Sequence, residues 1–494
     1  MATKDILDGA AETHVEAPYS AVMAPDASNE MSLTIMETIQ ANKKYIGWCL
    51  LLSIGPMVYG FDLIIVSLAT AMPAFRMVFG SEVGQVYIVP SIWLALWNSM
   101  IQVGAMAGAF SSGTISDRFG RKVTFTLGAI IGNVAILVVY LADRPDSLQS
   151  KRVMFLMGKI IVGLAIGLLN TAYLTMISEI APARIRGPLL SNFTFFAILS
   201  QVAAVSIVIG EVRHLTADAF RVVFASQWAR TAVALIVGVL VPESPTRLAA
   251  LQTVVEHEII AERNADSWSY TKCFRGTNWR RTRIVIYANI LQQFVGLAMI
   301  QSSTYFLQLA GMSAYLTLEL SLIHLVIGLP MLLASYFLMT RLGRRTLFLW
   351  GAASVGILWT AFGIAGCFSH SKSATLFLGV ELIIIYEAFV LGIGAVYPVI
   401  SAEASSVHLR AASQAIGIVA QFIAAWAFQF TVPYMYNTDS GDLGGKTGFI
   451  FAFLSATAFG SKFPRRRIVR GPNWTRCLRR GSQHGSSEIM FALV

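Results

Sequence analysis

Apolar residues in this chain fall into long blocks separated by short polar stretches. A bilayer crossing needs roughly 20 consecutive apolar residues, and runs of that kind recur along nearly the whole sequence. The pattern predicts spans at residues 45–69, 90–112, 123–142, 153–176, 188–210 and 226–241. A second set follows at 284–308, 317–340, 346–367, 375–400, 411–431 and 447–460. The expected fold class is an all-α integral membrane protein of twelve transmembrane helices in two six-helix bundles, the last helix truncated. Residues 1–44 are polar, lack the apolar stretch of a signal peptide and read as a disordered cytosolic tail. The expected division is bundles at 45–241 and 284–460, a cytosolic central loop at 242–283 and a basic cytosolic tail at 461–494.

Composition agrees with lipid as the solvent. The 494 residues are 55% hydrophobic and 13% charged, whereas soluble domains carry about a quarter charged residues. The net charge of +10 is distributed in short loops, where it acts as an orientation signal rather than a nucleic-acid footprint. With a cytosolic N-terminus, "DRFGRK", "ARIRG", "RRTR", "RLGRR" and "HLR" all fall on the cytosolic side. Cys49, Cys273, Cys367 and Cys477 are scattered and show no metal or disulfide spacing. No P-loop and no catalytic constellation is present, so neither an enzyme, nor a cofactor, nor a bound metal is expected. Work would have to come from a gradient.

Two loop motifs recur at one offset. "SDRFGRK" follows the second span and "TRLGRRT" the eighth, placing Gly120 and Gly343 223 residues apart. "SEIAPARIRG" follows the fourth span and "SAEASSVHLRAA" the tenth. Glu179 and Glu403, like Arg186 and Arg410, lie 224 apart. A shared offset argues for a duplicated six-span unit, the architecture in which two halves rock about a central site.

These motifs resemble the major facilitator superfamily, and within it the sugar porter family. "GTISDRFGRK" (113–122) matches the family loop at Gly113, Asp117, Arg118, Gly120, Arg121 and Lys122. "PESPTRL" (242–248) resembles the signature closing the sixth span. "YGFDLIIVSLATAMPAFRMVFG" (59–80), "CFRGTNWRRT" (273–282) and "STYFLQLAG" (303–311) are most similar to fungal maltose permeases, the α-glucoside:proton symporters. The resemblance covers residues 45 to 460. It implies a monomeric, multi-pass plasma-membrane protein that imports maltose or a related sugar with a proton. It also implies a cytosolic latch in which Asp117 pairs across the half-domain interface, extended by Arg118, Arg121, Glu179 with Arg184 and Arg186, Arg344, and Glu403 with Arg410. The plainer reading makes these orientation charges and solvated loop residues.

Charges inside the spans are the sharper signal. Asp62 in the first span and Lys159 in the fourth both lie roughly 10–14 Å below the outer surface, where each can neutralise the other. In proton-coupled sugar porters the acid of "YGFD" carries the proton and pairs with a base in the fourth span, which here is Lys where the family often has Arg. A permanent structural ion pair is the alternative. Glu387, near the middle of the tenth span, is a second proton-coupling candidate or else a neutral interhelical hydrogen-bonding group. Glu381 is expected nearer the interface, and His324 is expected to pack.

Sugars need amides and hydroxyls for their OH groups and aromatic faces for their C–H surfaces. Gln201, Gln292 and Gln293 meet the first need, and Tyr305 and Trp426 the second; interhelical packing is the alternative for each. The resemblance implies sugar contact for the three amides. Ala298 occupies the place where hexose porters carry Asn, which favours the α-glucoside branch over a hexose or polyol uniporter. A non-transporting sugar sensor would carry a longer tail. The offset also predicts a second "PESP"-like segment near residue 467, where the chain reads "GSKFPRRRIVRGPNW" instead. A shifted reading frame near Gly460 would account for this and for the short last span.

Overall fold

The computed structural model describes residues 42–83, 86–181, 185–214, 216–243, 273–368, 372–404, 410–437 and 440–459, with Glu37 and Gln40. The expected tails and most of the 242–283 loop lie outside the described residues. Helix α1 (Lys43–Leu52) and α2 (Ile54–Ala71) follow one another with a break at Ser53. Pro56 causes it, because it has no N–H to donate to the Leu52 carbonyl. Helix α3 (Pro73–Phe79) and a hairpin of β1 (Ser81–Val83) and β2 (Val86–Ile88) lead into α4 (Ser91–Phe119). Then come α5 (Arg121–Tyr140), α6 (Leu148–Ile180), α7 (Arg186–Glu211) and α8 (Ala217–Leu240). Helix α8 starts nine residues ahead of expectation, because Arg221 pairs with Asp143 and Asp218 and carries the helix past the apolar block.

The second series is α9 (Gly276–Phe294), α10 (Leu297–Gln301), α11 (Ser303–Leu309), α12 (Ala314–Leu342) and α13 (Arg344–Gly366). Helix α14 (Lys372–Phe389) passes through a π turn (Val390–Gly394) to α15 (Tyr397–Ala404), and α16 (Arg410–Tyr436) and α17 (Thr447–Phe459) complete it. Gly120 and Gly343, the two glycines of the repeated loop, share one conformation: φ 108° with ψ 160°, and φ 82° with ψ 152°. Each ends one long helix and starts the next.

Among the described residues nine helical stretches are long and apolar enough to span a bilayer. Three expected spans fall outside that set for different reasons. Helix α4 is long enough but carries Asn98, Ser99 and Gln102, the last two buried. Helix α17 has 13 residues. The expected continuous span at 284–308 is instead broken into α9, α10 and α11. The break sits at Gly296, where φ is +91° and a Cβ would approach the Trp359 ring to 2.7 Å. Trp359 pins it by donating its indole N–H to the Val295 carbonyl at 2.8 Å.

Close backbone approach holds α4 against α6. Gly104 and Gly108 on one, and Gly163 and Gly167 on the other, each lie where a Cβ would overlap the opposite main chain. Such small-residue seams replace the hydrophobic drive that lipid cannot supply. The two series meet where α4 packs on α16 and α7 on α12, with α2 against α11. That exchange of second, fifth, eighth and eleventh spans is what a two-fold duplicate produces. Gly296→Ala should lower the thermal unfolding midpoint of detergent-purified protein by several degrees, a backbone strain of about 1–3 kcal/mol plus the Trp359 overlap; an unchanged midpoint would contradict the pinned break.

Candidate functional site

Helix α2 presents Tyr59, Asp62, Leu63 and Val66 along one face, the i, i+3, i+4, i+7 positions of a helix. Asp62 is buried and Lys159 is 0% exposed. Lys159 Nζ donates to Asp62 Oδ1 at 2.7 Å, joining α2 to α6. A second cation lies close by. Arg230 of α8 stacks its guanidinium 3.6 Å over the Phe61 ring, near enough for its charge to act on Asp62. Sequence reading missed Arg230, which sits in the predicted 226–241 block as one charge among apolar residues.

Asp62 also faces space. It lines a cavity with Tyr59, Asn98, Gln102, Phe422 and Gln429, drawn from both series of helices. A larger central cavity of about 70 Å³ lies alongside, with Gln201, Gln292 and Gln301 among its polar lining. A third includes Asn170, Asn289, Ser401 and Gln414. Tyr59 lines all three. Tyr59, Gln421 and Tyr397 line the third cavity together, and Tyr397 shares the central one with Gln292. These polar groups come from α2, α16, α15 and α9.

The expected sugar-contact residues divide. Gln201 and Gln292 line the central cavity. Gln293 is buried outside its lining, and Tyr305 is buried beneath Arg76, whose guanidinium lies 5.8 Å above the ring. Trp426 is a correction: it is 38% exposed and stacks on Phe430, away from every described cavity. The cavity-facing positions of α16 are Gln414, Ile418, Gln421, Phe422 and Gln429, and position 426 falls off that face. Gln301, Gln421 and Gln429 were missed, although the spacing of Gln414, Gln421 and Gln429 marks one face.

On helix α14, Glu381 is enclosed by protein, at 4% exposure. Both carboxylate oxygens of Glu387 are buried without a hydrogen-bond partner among the described residues, next to Gly328 of α12. His324 packs edge-on against Tyr386, with ring centroids 4.6 Å apart, and borders the central cavity.

At the helix ends that carry the first repeated loop Arg121 pairs with Glu179 at 3.2 Å and donates to the Ser116 carbonyl at 3.1 Å. Glu243 of "PESP" accepts the Arg121 and Lys122 amides at 3.0 and 3.5 Å, closing the start of α5. Arg118 lies over the Phe119 ring, Gly113 is buried within α4, and Arg344 opens α13. Arg184 and the side chains of Asp117, Arg186, Glu403 and Arg410 lie outside the described residues. At the opposite ends the two series are tied together. Arg76 donates to the Gln308 side chain and Asn437 to Ser91 Oγ at 2.7 Å, while Arg213 lies 4.9 Å over the Tyr315 ring.

Lys159→Met should cost about 3–5 kcal/mol by stranding a buried charge, and Asp62→Asn/Lys159→Met together should recover most of it. Thermal midpoints of the three purified proteins check this; a double variant no better than the single would contradict a paired site.

The family model described as "Sugar (and other) transporter" matches residues 48–463. The MFS transporter fmqE of Aspergillus fumigatus is 29% identical over 426 residues, covering 80% of this chain and 78% of the relative. The general alpha-glucoside permease of Saccharomyces cerevisiae is 26% identical over 462 residues, covering 87% and 74%. Among solved structures, the MFS proton:xylose symporter XylE bound to 6-bromo-6-deoxy-D-glucose superposes with a TM-score of 0.69 at 21% identity, covering 85% of this chain and 95% of that one. That likeness shows the major facilitator fold.

Proposed function

The chain belongs to the sugar transporter family, and on that premise we propose that it is a proton symporter that imports an α-glucoside such as maltose, or a related sugar, by alternating access. The observation that carries the reading is the position of Asp62, ion-paired with Lys159 on one side and facing a cavity between the two series of helices on the other. A charge in hydrocarbon is stable only while its partner is present. Protonation of Asp62 removes the negative charge, frees the Lys159 ammonium and changes how α2 is held against α6. Because α2 also carries Tyr59 into the sugar cavity, that change reaches the substrate site through three residues of one helix.

The sugar is bound from both halves, Gln201 from α7 and Gln292 from α9, with Gln301 completing the polar arc. The halves are 45–241 and 284–460, the N-terminus is cytosolic, and the membrane is the plasma membrane. In this orientation the Arg76–Gln308 and Asn437–Ser91 ties close the outer side, and the Arg121–Glu179–Glu243 cluster organises the inner ends of α5 and α6. The yeast permease among the relatives supports an α-glucoside, and Ala298, fully buried beside the cavity wall, supports it over a hexose that needs an Asn there.

Asp62→Asn should abolish concentrative uptake and the alkalinisation of the medium that accompanies it, yet leave exchange of labelled for unlabelled sugar within a few-fold of wild type. A variant that still concentrates sugar would show that the proton travels elsewhere.

A further inference from the structure

Arg230 is a charge of the membrane interior that the Asp62–Lys159 pair leaves unexplained. Away from the ends of α2, α4, α5, α6, α7 and α8, the described residues hold three charged side chains: Asp62, Lys159 and Arg230. Lys159 is bonded to Asp62. Arg230, near the middle of α8, makes no direct ion pair among the described residues, and its Nη2 is buried without a hydrogen-bond partner there. What holds it is Phe61, whose ring centre lies 3.6 Å from the guanidinium carbon. Phe61 immediately precedes Asp62 in α2, so Arg230 is fastened to the helix that carries the acid. Stacking on one ring offsets only part of what an arginine costs at that depth.

The charge balance gives it a use. With Asp62 ionised the locus carries one surplus positive charge; with Asp62 protonated it carries two, in a medium that screens them poorly. A neighbouring cation favours the ionised form of an acid, so Arg230 works against the bound proton. Lys159 does the same only while it is in place. Protonation of Asp62 frees its ammonium, and a lysine in hydrocarbon can give up its own proton. Arginine stays charged and, through Phe61, follows α2. The other polar groups facing the Asp62 cavity are Tyr59 of the same helix, Asn98 and Gln102 of α4 and Gln429 of α16. None of these carries a charge at neutral pH.

We propose that Arg230 is a positioning residue of the proton site: its fixed charge drives the proton off Asp62 on the inner side, so that the empty carrier can return. In that step the O–H bond of the acid breaks, its electron pair stays on the carboxylate oxygen, and the proton passes to water on the inner side. This deepens the symport reading and rests on it.

The test uses the full chain reconstituted in tight liposomes, with labelled maltose. Arg230→Met and Arg230→Gln remove the charge with an apolar and a polar side chain, so a folding defect in one leaves the other; Arg230→Lys keeps a charge. With internal pH near 7 and an inward pH gradient, concentrative uptake should fall roughly tenfold or more in both neutral variants. Equilibrium exchange, which needs no proton release, should fall less than about threefold. Raising internal and external pH together by about 1.5, with the gradient unchanged, should bring the neutral variants to within about threefold of wild type. Arg230→Lys should stay within about threefold of wild type at the lower pH. Uptake and exchange that fall by one common factor at both pH values assign Arg230 to packing, and unchanged uptake in the neutral variants removes it from the cycle. Either result overturns the proposal and leaves symport standing. Wild-type vesicles that fail to concentrate maltose overturn the symport reading, and the role of Arg230 falls with it.

Discussion

A single ion pair organises the N-terminal series of helices. Lys159 has no exposure at all, and the 2.7 Å contact to Asp62 is what makes its charge tolerable in hydrocarbon. Removing either charge leaves the other in a medium that cannot solvate it. The pair therefore makes the packing of α2 on α6 depend on charge state, and Arg230, stacked on the neighbouring Phe61, adds a second positive charge to the same locus. Three charged groups with a net positive balance are held where a wholly apolar core would have been simpler to build. In a family of transporters that excess is most economically explained by use.

The rest of the fold delivers this locus to the substrate path. Glycines let α4 and α6 touch backbone to backbone, which brings Asn98 and Gln102 of α4 around to the cavity that Asp62 faces. On the opposite side α9 is broken at Gly296 and held by Trp359, so α10 and α11 leave the line of α9 and set Gln301 and Leu297 against the central cavity. The π turn after Phe389 does the same for α14, turning Val390 and Gly394 inward. Broken helices at membrane depth occur where backbone lines a cavity, and both breaks lie beside the same one. Tyr59 is the side chain that touches all three cavities, three residues along the helix from Asp62.

Much of this was legible before any coordinates. Apolar run lengths set the helices, and the shared offset of two loop motifs exposed the duplication, later matched by the paired conformations of Gly120 and Gly343. Asp62 and Lys159 stood out because a charge in an apolar run is anomalous and the two fell at one depth. Residues whose chemistry is ordinary for a membrane helix were harder. The spacing of Gln414, Gln421 and Gln429 puts them on one face of α16, but that this face meets the cavities, and that Gln301 meets one too, depends on crossing geometry that linear spacing does not contain. Trp426 was chosen by residue type and lies on the wrong side of α16. The break at Gly296 depends on a tryptophan 63 residues away, beyond the reach of local pattern.

The central claim is that a proton gradient does work through this site. Purified protein reconstituted in tight liposomes, given an inward pH gradient and equal labelled maltose on both sides, should accumulate sugar above equilibrium and lose it when a protonophore is added. Sugar that stays level across the membrane in wild-type vesicles, while flux down its own gradient remains fast, would show a facilitator and contradict the account.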